Sequence, residues 1–84
     1  MIGKLTGSLA HRQPGRILID INGVGFEVSL PLSAMPLLPG EGEGVALFIS
    51  TIVRENDISL YGFMTGAEKS LFQLLTNVSG IGPR

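Results

Sequence analysis

The dipeptide Asn22-Gly23 sits between two runs of alternating apolar residues, an arrangement that commits this part of the chain to a β-hairpin. Both residues tolerate positive φ, which the type I′ turn needs at its two central positions, and the twist of that turn matches the twist of the flanking strands. On the incoming side Ile17, Ile19 and Ile21 point one way, with Arg16 and Asp20 pointing the other. On the return, Val24, Phe26, Val28 and Leu30 form the inner face and Gly25, Glu27 and Ser29 the outer, the period-2 pattern of a half-buried strand.

The flanking segments extend the sheet. From Met1 to Ala10, Leu5 and Leu9 alternate with Lys4, Thr6 and Ser8, while Gly3 and Gly7 relieve crowding on the apolar side, which predicts a bent strand. Gln13-Pro14-Gly15 is turn chemistry. Residues 31–40 carry three prolines, which excludes a regular strand or long helix and leaves a short helical turn under the sheet. After the solvated loop Glu41-Gly42-Glu43-Gly44, a long strand runs from Val45 to about Arg54. Both its faces are apolar, Val45, Leu47, Ile49 and Val53 against Ala46, Phe48 and Ile52, so something must cover each of them. Ile58 to Phe63 is the return strand. Thr65 and Glu68 have the spacing of a capping box that starts a helix at residue 66, and Leu71, Leu74, Leu75 and Val78 form one apolar stripe along it. The expected fold is mainly β: a small Greek-key barrel of the oligonucleotide-binding (OB) type, followed by a C-terminal α-helix.

Composition removes most catalytic chemistry. The 84 residues suit one compact domain with a short appended element, and 44% hydrophobic against 15% charged residues describes a packed core. With no Cys there are no disulfides, thiolate metal sites or cysteine nucleophiles, and His11 is the only histidine. There is no Walker A run, so no enzyme, metal or cofactor is expected. The net charge of −1 disfavours strong general nucleic-acid binding. Val45–Val53, the densest apolar stretch, is far short of the ~20 residues that span a bilayer, and the N-terminus lacks the apolar core of a secretory signal, so a cytoplasmic protein is the expectation.

Three short patterns carry possible function. Gly80-Ile81-Gly82 after a helix is either an ordinary glycine stop or the hairpin of a helix-hairpin-helix unit, whose uncovered N–H groups take a phosphate. Pro83 suits the first turn of a further helix. Glu55, Asn56 and Asp57 form a compact polar turn that reads first as a solvated hairpin tip; paired catalytic carboxylates are disfavoured where nothing desolvates them. His11-Arg12 lies beside a turn and reads as surface. Phe26, Phe48, Tyr61, Phe63 and Phe72 fit inward or interface positions better than an exposed stacking row for single strands.

Taken together, Met1-Ile2-Gly3, Ile21-Asn22-Gly23-Val24-Gly25-Phe26-Glu27-Val28, Val53-Arg54-Glu55, Leu60-Tyr61-Gly62-Phe63, Leu71-Phe72 and Val78-Ser79-Gly80-Ile81-Gly82-Pro83-Arg84 resemble the RuvA family of Holliday-junction branch-migration subunits, in order and over the whole chain. The resemblance implies an OB-type barrel over 1–63 and, over 64–84, the first helix and hairpin of an incomplete helix-hairpin-helix, so that the chain looks like a truncation. It implies a non-catalytic, cytoplasmic scaffold of recombination, repair and the SOS response. Its implied partners are four-way junction DNA, three further copies in a homotetramer, the RuvB motor through a missing C-terminal region, and the RuvC resolvase. The family's DNA-gripping hairpin carries over to Gly80, Ile81, Gly82 and Arg84. Its acidic pin, usually two adjacent carboxylates, falls on Glu55 and Asn56, with Asp57 next to a position that here holds a neutral amide. Two alternatives stay open: an oligomerisation module without DNA affinity of its own, and an OB-type single-strand binder.

Overall fold

A computed structural model describes residues 1–78, the last three by their backbone alone. Its elements are strands β1 (Lys4–Gln13), β2 (Arg16–Ile21) and β3 (Val24–Ser29), a 3-10 helix (Leu32–Leu37), strands β4 (Gly44–Arg54) and β5 (Asp57–Phe63), and helix α1 (Gly66–Val78). The hairpin dictated by Asn22-Gly23 is present: Asn22 has φ 53° and Gly23 φ 90°, and the Gly23 N–H donates to Asp20 Oδ1 at 2.8 Å. Ile21 faces Val24 across a two-residue turn.

The strands close into a barrel in the order β1-β2-β3-β5-β4, with β4 returning to β1. Neighbours are antiparallel except β3 and β5, which meet in parallel at Ser29 and Tyr61. β1 serves two partners because it bends: it pairs with β4 over Lys4–Ser8 and with β2 over Ser8–Gln13, and the register slips between Leu9 and His11. An extra residue there sharpens the local twist. On the β4 side, beyond the Ser8–Gly44 pair, the Leu9 N–H donates to Glu43 O at 2.9 Å and the Gly42 N–H donates to Leu9 O at 2.7 Å. Of the two glycines expected to relieve crowding, Gly7 does so, packed against the backbone of Asp20 and the side chains of Ile19 and Ile21, whereas Gly3 meets only the far end of Lys69.

Leu5, Leu9, Ile17, Ile19, Val28, Leu47 and Ile49 fill the barrel, and Leu30, Ala34 and Leu38 plug the end where the 3-10 helix crosses. Each such aliphatic side chain contributes roughly 1.5–3 kcal/mol on full burial. Two sequence expectations hold only in part. Val24 is exposed, whereas Phe26 is half-buried and packs against the edge of the core, on a strand that pairs with β5 only at its far end. Val53 is likewise exposed while Ile52 on the opposite face is buried. The outer face of β4 is covered in part, since α1 packs beside it with Gly66 next to the Phe48 ring while Ala46 stays exposed.

Candidate nucleic-acid interface

The β4–β5 hairpin is the longest antiparallel pairing in the molecule, running in register from Phe48 opposite Phe63 to Arg54 opposite Asp57. Only Glu55 and Asn56 remain for the loop. Along β4, pairing to β1 stops at Phe48; beyond it the Ile49 N–H donates to Gly3 O at 2.9 Å. Thr51 Oγ1 accepts from the Ile2 N–H at 3.1 Å and donates to Ile2 O at 2.8 Å. Past Thr51 the hairpin has no neighbour among the described residues to extend its ladder, and Val53 and Ile58 are exposed. The tip therefore projects from the barrel.

Side chains alternate, so Arg54, Asp57 and Ser59 share the outer face. Arg54 Nη1 lies 3.6 Å from Asp57 Oδ2, and Ser59 Oγ donates to that same oxygen at 2.8 Å. Glu55 and Asn56 are exposed, and among the described residues the Glu55 carboxylate has no hydrogen-bond or ion-pair partner. Neither residue adopts positive φ, so this turn is not of the primed type found at Asn22-Gly23. The three residues on which the family resemblance places a pin thus sit differently: Glu55 and Asn56 form the tip, and Asp57 belongs to the strand and pairs with Arg54.

Helix α1 begins as the capping box requires. The Glu68 N–H donates to Thr65 Oγ1 at 3.1 Å, while Glu68 Oε1 accepts from the N–H groups of Met64 and Thr65 at 3.0 and 3.3 Å. Phe72 seats the helix on β5, its ring centre 5.6 Å from that of Tyr61 and 5.1 Å from that of Phe63. The leucine stripe is not buried by the barrel: Leu71, Leu74 and Leu75 are each more than half exposed. Between α1 and the 3-10 helix lies an apolar cleft of about 300 Å³, walled by Ala34, Leu37, Phe63, Leu71 and Leu75. The hairpin residues Gly80, Ile81, Gly82 and Arg84 follow α1 and lie outside the described residues.

The aromatic side chains are engaged within the fold: Tyr61 and Phe63 each pack on Phe72, Phe26 is half-buried against the core, and Lys4 Nζ sits 5.6 Å from the centre of the Phe48 ring. Sequence reasoning missed Arg12. Rather than a free surface cation, it donates to Met35 O at 2.8 Å and Pro39 O at 2.9 Å, tying the proline-rich loop to β1, and His11 lies 3.4 Å from Glu41 beside it. No groups of His, Asp or Glu that could hold a metal occur among the described residues, and no helix there is long and apolar enough to cross a membrane.

The strand order, the single parallel contact of β3 with β5 and the helical turn between β3 and β4 make this an OB-type barrel protein. Residues 1–62 match the model of the RuvA N-terminal domain. The chain belongs to the RuvA family. Over all 84 residues it is 56% identical to the Holliday junction branch migration complex subunit RuvA of Geobacter metallireducens and 57% identical to that of Geobacter sulfurreducens. It is 54% identical to the subunit of the same name from Syntrophobacter fumaroxidans. The chain spans 42–43% of the length of these relatives.

Proposed function

We propose that this chain is part of a non-catalytic scaffold that binds four-way DNA junctions and supports motor-driven branch migration in recombination and repair. The observation that carries the reading is identity over the whole chain to relatives named as subunits of the Holliday junction branch migration complex. The projecting β4–β5 tip supports it, because Glu55 offers a carboxylate to whatever approaches the hairpin end on. In a homotetramer around a junction, four such tips converge on the crossover and repel its phosphates, guiding strands apart. Each repulsion is on the order of 1 kcal/mol at 4 Å in water, so it steers strands without ejecting the DNA.

Residues 1–63 act as the barrel that presents the tip, and 64–84 as the start of a helix-hairpin-helix. There the N–H groups of Gly80, Ile81 and Gly82, with Arg84, grip the duplex backbone without reading bases. ATP hydrolysis belongs to the RuvB motor and strand cleavage to the RuvC resolvase, both acting in the cytoplasm. The packing of Tyr61 and Phe63 on Phe72 speaks against a single-strand binder.

The test uses the chain carried to the full length of its relatives. Competition between a four-way junction and single-stranded DNA should favour the junction strongly; equal competition would sink the reading. Glu55→Gln should leave junction affinity unchanged or raised while slowing branch migration with the motor present, and Asn56→Asp should add repulsion and lower affinity. Unchanged migration in Glu55→Gln, with fold and tetramer intact, would leave the turn as a solvated tip only.

A further inference from the structure

The tip holds one cation next to the charge that matters. Arg54 closes the hairpin immediately before Glu55, and a guanidinium on a flexible stem at that place has two ways to defeat a repulsive tip. It can fold onto Glu55 and cancel it, or reach past it and clasp a phosphate, the bidentate contact for which guanidinium groups are suited. The side chain is instead turned to Asp57, which stands directly across the ladder from Arg54, where cross-strand side chains meet, with Nη1 3.6 Å from its Oδ2. The carboxylate is itself held from behind, since Ser59, two residues along the same face, donates to that oxygen at 2.8 Å. The chain Ser59–Asp57–Arg54 runs back along β5, away from the turn.

We infer that Asp57, aimed by Ser59, is a positioning residue that restrains Arg54, so that the hairpin tip presents Glu55 as its only unpaired charge to phosphate. This deepens the pin reading and rests on it. Asp57 on this account is not a second pin acid: it acts through Arg54, not on the DNA. The two roles separate in a double-mutant comparison, because direct repulsion by Asp57 does not depend on Arg54 and restraint does.

The experiment takes the full-length protein as wild type, Asp57→Asn, Ser59→Ala, Arg54→Gln and Arg54→Gln/Asp57→Asn, measuring four-way junction affinity at 50 and 200 mM salt. One added phosphate contact steepens the log–log salt dependence by about 0.9, and the tetramer carries four freed Arg54 side chains, so Asp57→Asn should bind more tightly at 50 mM and lose at least about 3.5-fold more affinity than wild type between the two salts. Ser59→Ala should move the same way by less, and the double variant should return to the Arg54→Gln value. A double variant as tight as Asp57→Asn, or no change in Asp57→Asn, overturns the restraint. A second readout needs no DNA: nuclear relaxation of the Arg54 Nε–H should report greater freedom in Asp57→Asn and Ser59→Ala, and an Arg54 equally ordered in all three overturns the inference whatever Glu55 does. A freed Arg54 combined with a silent Glu55→Gln would remove the pin reading and keep the restraint.

Discussion

Gly62 lies where β3 and β5 close the barrel, and a Cβ built on it would stand 2.7 Å from Val28 Cγ1 and 3.0 Å from Leu30 Cδ2, both in the core. Carbon atoms prefer separations of about 3.5–4.0 Å, so the added methyl forces a shift in a packed interior. Gly62→Ala should cost about 1–3 kcal/mol, read as a lower denaturant midpoint at unchanged slope. Gly40→Ala, where no atom lies within 4 Å of the new carbon, should be close to silent. Residues differ in how plainly the sequence announces them. Asn22-Gly23 is legible because its turn is set by its own two φ angles, whereas Arg12 is not, because the carbonyls it holds come from Met35 and Pro39, brought near only by the closed barrel. Asp57 falls between these: its place in a polar turn is legible, its commitment to Arg54 needs the register.

At the scale of elements, α1 shows where local signals suffice and where they stop. Its first turn is written in Thr65 and Glu68, whose reciprocal bonds form as their spacing predicts. Thr65→Ala should destabilise the helix by about 1 kcal/mol, seen as faster amide hydrogen exchange at Glu68 and in the turn that follows. Because Phe72 holds the helix on Tyr61 and Phe63, the near-ultraviolet signal of Tyr61 should survive that change if docking is set by the rings rather than the cap. The leucine periodicity also predicts the helix, yet periodicity gives a stripe and not its partner: Phe72 makes the ring contacts with the barrel, while Leu71 and Leu75 wall a cleft and stay more than half exposed. β4 carries the same lesson, since two apolar faces announce burial on both sides without saying that α1 supplies part of the outer cover.

For the whole molecule, the balance of charge decides how far this chain can bind DNA unaided. Among the described residues, Arg12 is engaged with backbone carbonyls and Arg54 with Asp57. Lys69 donates to Gly3 O at 3.3 Å and Lys4 lies against Phe48, leaving Arg16 the cation with no such engagement. With a net charge of −1, the 84-residue chain should bind a four-way junction weakly, with a log–log salt slope near −1 to −2, the value for one or two phosphates neutralised at about −0.9 each. Nanomolar affinity at physiological salt would contradict this count. The OB-type barrel is legible in the sequence as a fold class, but the strand order and the closure of β3 on β5 through a single pair depend on packing that no local pattern records.

The way Ile2 and Gly3 hold β4 gives the hairpin the mechanics of a cantilever. Its root is bolted at Ile49 and Thr51 by the first residues of the chain, and its free length begins just beyond. Stiffness of a beam is set at its root, so how firmly the tip keeps its aim depends on a threonine hydroxyl several residues back and on an N-terminus that touches nothing at the tip itself. Thr51→Val keeps the shape and removes both bonds to Ile2. It should leave Glu55 chemically unaltered while loosening its aim, with faster hydrogen exchange at Val53 and Ile58 and no matching change at Leu47. Equal protection in wild type and variant would place the stiffness in the β4–β5 ladder alone. A bulky extension fused ahead of Met1 would load the same bolt, so the behaviour of the tip is tied to residues about fifty positions away in the sequence.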